Sequence, residues 1–381
     1  MKKKIFISAC EPSADLHCGN LITAVNDKVS ADNNLDVEFV GLGGPKMAAA
    51  GCDLLEDTTS KAAMMYNAFT QIGAYCKRIK RISAYLQKTN IDAVVVCDSP
   101  AFNFHIAKAA KKANIPVMFY VAPQLWAWAP WRIRKLRKNC DKLACILPFE
   151  QQWFSSRGVD AVFVGNPLLD DISVDIQSSY RNYENFDPAV STVALMPGSR
   201  SAEIKTLWQP MQRIAKKLQQ KYPNMKFITP AVNEGKLREL KKLQTEDIDI
   251  EYISEGVVNA ALRADFTLVA SGSATLQVAA TGCPMVIMYQ SNRVIWHLVG
   301  RWIINIRHLS LVNILAGKEL VPEFMPYFTS IEPIFEKISK LLDNRDNLAE
   351  ANKGLIDVVK PLSLGGKVSD KAADILLGLT E

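Results

Sequence analysis

The sequence predicts an α/β protein built from two Rossmann-like, doubly wound parallel sheets, and three observations carry that reading. Short continuous apolar runs such as Ala93 to Cys97 and Phe266 to Ala270 alternate with helical segments, the pattern of strands covered on both faces. The 381 residues exceed one ordinary core, and with 49% hydrophobic residues they can fill two. Between Asp170 and Ala189 the alternation gives way to a polar stretch with no clear period, which divides one series from the other.

The first series opens with strand Lys4 to Ala9, a helix from Ser13 to about Val25, and strand Val37 to Gly41. Helix Cys76 to Lys88, strand Ala93 to Cys97, helix Phe104 to Asn114, and strands Val117 to Val121 and Lys142 to Ile146 continue it. The first strand-to-helix turn reads Cys10-Glu11-Pro12-Ser13 where a dinucleotide fold would carry G-x-G-x-x-G, so dinucleotide binding is disfavoured. The second series runs through strands Thr192 to Met196, Lys226 to Thr229, Ile248 to Tyr252, Phe266 to Ala270 and Met285 to Tyr289, with helices between them. Helices Pro333 to Asp343, Leu348 to Ile356 and Val368 to Leu377 close the chain. The expected division is an N-terminal domain 1–169, a linker 170–190, a C-terminal domain 191–345, and helices in 346–381 that cross back to the first domain or to a partner. Ligands of such folds bind at the carboxyl ends of the strands, here in an interdomain cleft.

Composition narrows the class. Met1-Lys2-Lys3-Lys4 looks like the start of a secretory signal, but the apolar run Ile5 to Ala9 is too short and Glu11 follows it. Val294 to Ile306 carries His297 and Arg301 and falls short of a membrane span, so a soluble or membrane-surface protein is expected. Eight scattered cysteines without a C-x-x-C pair read as reduced thiols, and four histidines without paired spacing argue against a metal centre or a Ser-His-Asp triad. The charge is lopsided: Met1 to Leu168 holds 21 basic against 14 acidic residues, and the remainder 24 against 25. Much of the excess lies in Lys77, Arg78, Lys80 and Arg81, and in Arg132 to Lys142. Either these are solvated helix faces, or the first half meets something anionic.

Several stretches carry chemistry. The run V-A-S-G-S-A-T-L-Q-V-A-A-T-G-C-P-M-V-I-M-Y from Val269 to Tyr289 takes a strand into a Ser271-Gly272-Ser273 turn and then a helix, whose first N–H groups can face an anion. Gly272 permits close approach, and the hydroxyls of Ser271, Ser273 and Thr275 add donors, although ordinary helix capping accounts for the same residues equally well. Strand Thr192 to Met196 likewise runs into Pro197-Gly198-Ser199-Arg200, where Arg200 can clamp a pyrophosphate or merely be solvated. Two such turns on one sheet favour a diphosphate ligand, and without G-x-x-x-x-G-K-[ST] an ATPase P-loop is excluded. In the first series Asp98 reaches a strand's carboxyl end, placed either to take a proton from a hydroxyl or to cap the helix near Asn103; Glu11 and Asp15 share its edge. Tyr120 to Trp131, Y-V-A-P-Q-L-W-A-W-A-P-W, suits nucleic-acid stacking, a lipid interface or core packing, and the Met-rich, loop-like Met64 to Tyr75, including Met65 and Phe69, suits flexible contact with acyl chains or another helix.

Taken in order, G/C-E-P-S-A-D, V-G-L-G-G-P-K-M, D-S-P-A-F-N-F, Y-V-A-P-Q-L-W-A-W, L-P-F-E, V-G-N-P-L, M-P-G-S-R-S-A-E-I, A-S-G-S-A-T-L-Q and S-L-V-N-I-L-A-G-K-E-L-V-P-E resemble one family, the bacterial lipid-A-disaccharide synthases. The resemblance implies an inverting, metal-independent glycosyltransferase of GT-B fold. It implies transfer of a diacylglucosamine from its UDP ester to the 6-hydroxyl of diacylglucosamine 1-phosphate, releasing UDP, on the inner face of the cytoplasmic membrane. It needs no cofactor beyond the UDP-sugar substrate, has no nucleic-acid partner, and leaves a homodimer open. Carried onto this chain, it places uridine diphosphate on Gly198, Ser199, Arg200, Ser271, Gly272, Ser273 and Thr275, with Asn313 nearby and Gln277 at the ribose. The acceptor falls to Glu11, Ser13 and Asp15, with Asp98 as base, and acyl or membrane contact to Met64, Met65, Phe69, Trp126 and Trp128.

Four positions depart from that pattern: Cys10 and Ala14 stand for Gly, Ala101 for a second Asp, and Gln277 for Glu. Two alternatives therefore stay open, a UDP-sugar or lipid-binding homologue without catalysis and another UDP-sugar enzyme of the same fold.

Overall fold

Parallel strands cannot be joined by a tight turn, so each must be followed by a crossover, and the crossover helices cover both faces of the sheet. The computed structural model describes residues 2–31, 35–59, 72–170, 180–293, 296–297, 306–363 and 365–380. It divides into two compact units, 1–170 together with 362–381, and 171–361.

In the first unit β1 (Lys2–Ala9), α1 (Pro12–Ala31), β2 (Asp36–Gly43), α2 (Pro45–Ala49) and β3 (Cys52–Asp57) lead to α3 (Ile72–Lys88) and β4 (Ala93–Cys97). Then come α4 (Pro100–Lys112), β5 (Val117–Tyr120), α5 (Ile133–Asn139), β6 (Lys142–Cys145), α6 (Pro148–Ser155) and β7 (Ala161–Phe163). The strands form one parallel sheet in the order β3-β2-β1-β4-β5-β6-β7. Side chains alternate across a strand, so neighbours serve different cores. Phe6, Val94 and Val96 face one cluster with Phe104 and Phe119, while Ile5, Ile7 and Val95 face another with Leu21, Ile22 and Met118. Strand β3, Cys-Asp-Leu-Leu-Glu-Asp, is an edge strand whose polar half-exposed side hides it from a search for continuous apolar runs.

The second unit repeats the plan with β8 (Thr192–Met196), α7 (Ser201–Lys221), β9 (Lys226–Pro230), α8 (Glu234–Lys242), β10 (Ile250–Ile253), α9 (Gly256–Arg263) and β11 (Phe266–Ala270). It continues through α10 (Ala274–Ala280), β12 (Met285–Met288), α11 (Leu311–Ala316), β13 (Glu323–Phe324), α12 (Glu332–Leu342) and α13 (Arg345–Val359). The order is β10-β9-β8-β11-β12-β13. Its core gathers Leu195, Trp208, Met211, Phe227, Phe266, Leu268 and Ile338.

The C-terminal helices part company. α13 stays with the second unit, where the Asn352 Nδ2 donates to the Gly282 carbonyl at 2.7 Å. The last helix, α14 (Val368–Gly378), packs on α1, burying Val368, Ala372, Ala373 and Leu376 against the cluster that holds Leu21, Ile22 and Val25. The Lys28 Nζ meets an Asp374 carboxylate oxygen at 2.7 Å beside it. Leu376 is fully buried, so Leu376→Ala should destabilise the first unit by about 2–5 kcal/mol. Chemical denaturation checks this, and a loss near zero would mean that α14 is not part of that core.

Candidate active site

In an open parallel sheet the crossovers on either side of a reversal in strand order run to opposite faces, and the loops leaving the two central strands open a crevice at their carboxyl ends. The first sheet reverses between β1 and β4, and the second between β8 and β11. Glu11 and Ser13 follow β1, and Asp98 follows β4; Arg200 follows β8, and Ser271 to Ser273 follow β11. Every polar turn singled out in the sequence thus issues from a strand beside a reversal.

At the first reversal, Ala9 pairs with Cys97, so the next residues of β1 and β4 leave side by side. Asp98 and Ser99 both adopt left-handed backbone, with φ of 49° and 42°, which is strained for non-glycine residues. The buried Asn103 holds this corner. Its Nδ2 donates to the Cys97 and Asp98 carbonyls, each at 2.8 Å, and its Oδ1 accepts from the Ser8 hydroxyl at 2.8 Å. The Asp98 carboxyl is half-buried, and Ser99, not Asp98, stands at the N-cap of α4. Burial pushes the Asp98 carboxyl above the usual aspartate range, the neighbouring Glu11 charge adds to this, and a hydrogen bond from the Ser99 backbone N–H opposes it. The Ser99 hydroxyl donates to a Glu11 carboxylate oxygen at 3.3 Å, while Ser13 is exposed in the first turn of α1. Ala101 is exposed one turn into the corner, so Glu11 and Asp98 are the carboxylates that follow these two strands.

Asp15 has a different task from the one expected. It is 2% exposed, and its two oxygens accept from the backbone N–H groups of Gly44, Lys46 and Met47 at 2.8, 3.0 and 3.0 Å. Those are the orphan donors at the start of α2, so Asp15 is a capping residue supplied from another helix.

At the second reversal the β8 and β11 turns emerge from adjacent strands, Met196 opposite Val269. The N–H groups of Gly272, Ser273 and Ala274 have no acceptor among the described residues, Gly272 and Ser273 are exposed, and Ser271 and Gln277 are half-buried. Thr275 is turned inward, its hydroxyl donating to the Gly272 carbonyl at 2.7 Å. The Pro197 to Arg200 turn is occupied by a residue that the sequence reading passed over, Glu203. One Glu203 oxygen accepts from the Ser199 and Arg200 backbone N–H groups, each at 3.2 Å, and the other lies 3.2 Å from the Arg200 guanidinium. Gly198 has φ of 101°, and a Cβ there would stand 2.3 Å from the Glu203 carboxylate. Gly198 is therefore required for the carboxylate to enter the turn, and the Ser199 N–H is engaged by Glu203. The Arg200 side chain is 76% exposed and free to turn outward. The signal for Glu203 was its place three residues into a helix, the position that completes a capping box.

Asn313 is likewise a scaffold residue. Fully buried, it donates to the Val321 carbonyl and a Glu323 carboxylate oxygen, at 2.8 and 3.0 Å, and accepts from the Leu320 and Val321 N–H groups at 2.9 and 3.0 Å. Its amide is saturated. Trp126, expected at a lipid surface, is tied inward: the indole N–H donates to the buried Glu150 carboxylate at 2.9 Å, and the ring meets Phe149 edge-on. Burial pushes the Glu150 carboxyl up to about 7. Trp128 is half-buried, with the Arg132 guanidinium 4.9 Å from its ring. Met64, Met65 and Phe69 lie outside the described residues.

A sequence model of the lipid-A-disaccharide synthetase family matches residues 5–372. The lipid-A-disaccharide synthase of Geobacter metallireducens is 32% identical over 98% of this chain and 97% of its own. That of Syntrophus aciditrophicus is 32% identical over 99% and 98%. Among solved structures, a UDP-GlcNAc 2-epimerase from Neisseria meningitidis bound to UDP-GlcNAc superposes with a TM-score of 0.59 at 14% identity, covering 99% of this chain and 100% of its own. A putative UDP-N-acetylglucosamine 2-epimerase from Listeria monocytogenes gives 0.62 at 13% identity, with 97% and 94% covered. These two share the fold, GT-B.

Asp15→Ala should lower stability by about 1–3 kcal/mol, the usual loss when buried donors are left unsatisfied. It should leave the KM for the acylated acceptor unchanged in a transfer assay, whereas a large rise in that KM without a fall in melting temperature would return Asp15 to the acceptor site.

Proposed function

This chain belongs to the lipid-A-disaccharide synthase family and is a glycosyltransferase, and we propose on that footing how its residues divide the work. The second unit takes the UDP-linked diacylglucosamine, and the first takes diacylglucosamine 1-phosphate and removes the proton from its 6-hydroxyl. The family match and full-length relatives carry the activity; the placing of both polar turns at the β8/β11 reversal supports the donor assignment. Neither alternative reading is favoured by those comparisons.

In this reading the Asp98 carboxylate accepts the acceptor's hydroxyl proton as that oxygen bonds to the anomeric carbon. The bond from that carbon to the diphosphate breaks on the opposite face, giving the inverted β-1,6 linkage and UDP. A raised pKa suits a general base, because it brings proton affinity nearer to working pH. Charge growing on the leaving diphosphate is met by the Arg200 guanidinium, once it swings away from Glu203, and by the free N–H groups at Gly272, Ser273 and Ala274, with the Ser271 and Ser273 hydroxyls beside them. The single neutral Gln277 amide serves the ribose hydroxyls, and Ser13 and Glu11 the acceptor. Such a set supplies cationic and dipolar stabilisation from the chain itself, so the reaction needs no added cation and no cofactor. Both substrates carry acyl chains, which supports a position on a membrane surface, in this reading the inner face of the cytoplasmic membrane. No helix among the described residues is long and apolar enough to cross a membrane.

A radiolabelled transfer assay with acylated donor and acceptor tests this. Turnover should persist with a chelator, fall about 10²–10³-fold in Arg200→Ala, and fall about 10²–10⁴-fold in Asp98→Asn. The acid limb of the wild-type kcat/KM profile should lie above the range of an exposed aspartate, because Asp98 must be ionised to act and its pKa is raised. Glu11→Gln should move that limb to lower pH by removing one of the two causes of the rise. A profile unmoved by Glu11→Gln, with Asp98→Asn near wild type, would remove Asp98 as base.

A further inference from the structure

We propose that the solvent face shared by α4 and α5, with Trp131 at its edge, docks this protein on a bilayer of anionic phospholipid, an inference that rests on the lipid-substrate reading above. From Ser99 to Cys140 the chain carries eight Lys and Arg and no Asp or Glu. The fold turns that composition into a surface. α4 and α5 pack against each other, with Ile106, Ala110 and Leu136 buried in one core cluster. The opposite side of the pair exposes Lys108 and Lys112 on α4 and Arg134, Lys135, Arg137 and Lys138 on α5. None of these six has an ion-pair partner among the described residues, whereas Lys111 between them meets Asp141 at 2.8 Å. The other basic cluster is different in kind, because Arg78 and Arg81 both close on Glu56.

Trp131 stands two residues before Ile133, where α5 begins, and is 64% exposed, with a large apolar ring in water. Trp126 and Trp128, nearby in sequence, are held by Glu150 and beneath Arg132. An exposed indole next to a cationic face is the combination that a headgroup layer rewards: the ring settles at headgroup depth, and each basic side chain gains from the negative surface potential. A nucleic-acid groove would instead set several aromatic faces along a basic track, and here, among the described residues, a single exposed ring lies at the margin.

Vesicle flotation tests the assignment, using phosphatidylcholine alone and phosphatidylcholine mixed with phosphatidylglycerol. The wild-type chain should float with the mixed vesicles far more than with neutral ones, and less as salt rises. Each neutralised charge near the surface should weaken partitioning roughly five-fold, so replacing Arg134, Lys135, Arg137 and Lys138 together by Ser should lower it by roughly a hundredfold or more. Trp131→Ala should cause a several-fold loss that persists at high salt. Melting temperature and transfer between detergent-dispersed substrates should stay at wild-type level in both variants, since all five residues are exposed. Mixed-vesicle binding that survives the fourfold replacement would overturn the proposal. So would a chain that binds single-stranded DNA through α5 and ignores vesicles. Vesicle binding that depends on α5 in a chain without turnover would leave the surface standing and remove only the chemical reading.

Discussion

Everything in this protein follows from the restriction on joining parallel strands. A crossover helix must follow each strand, its hand is fixed by the twist of the sheet, and winding outward in both directions from the middle leaves one place per sheet where neighbouring strands send their helices to opposite faces. At that place the backbone at the strand ends has no neighbour to satisfy it and little to fill the space. Both sheets use it. β1 with β4 delivers a carboxylate pair, and β8 with β11 delivers an arginine and a row of free amide donors.

The two reversals are furnished differently, and the difference is chemical. At the first, the Asn103 amide is anchored to Ser8 and holds two carbonyls, so that Asp98 and Ser99 stay in a backbone conformation they would otherwise leave. The resulting carboxyl is half-buried beside Glu11, an arrangement that favours taking a proton. At the second, an internal carboxylate already rests in the β8 turn. Glu203 satisfies the turn's donors, holds Arg200 at 3.2 Å, and keeps the loop shaped while no external anion is there. In the proposed reading a diphosphate at this corner would compete with Glu203 for Arg200 alone, because the Gly272 to Ala274 donors are open among the described residues.

The strands and most helices were legible in the sequence, since a strand buried on both faces leaves an unbroken apolar run. The exceptions have reasons: β3 mixes polar and apolar residues at a sheet edge, and β7 and β13 are only three and two residues long. The site was legible only as far as motifs reach. A motif marks where polar residues gather but not which of them turn toward the ligand. Asp15, Thr275 and Asn313 sit in the motif stretches yet spend their polar atoms on backbone groups, α2's orphan donors in one case and the chain around Val321 in another. Glu203 and Asn103 lay in quoted stretches and were passed over: Glu203 closes on its own local turn at Ser199 and Arg200, a capping position that a motif search does not weigh, and Asn103 takes its distant partner Ser8 only when the sheet forms. Trp126 illustrates the same limit, being bound to a glutamate 24 residues further along.

The central claim is that the sugar nucleotide's phosphates are gripped at the β8/β11 reversal. Backbone hydrogen exchange read by mass spectrometry, with and without UDP, addresses it most directly. Slowed exchange confined to the peptides spanning residues 197–203 and 271–277 is the result this structure predicts. Protection that appears instead at the amino ends of the same strands, around Asp265 and Pro284, with those turns unchanged, would contradict it.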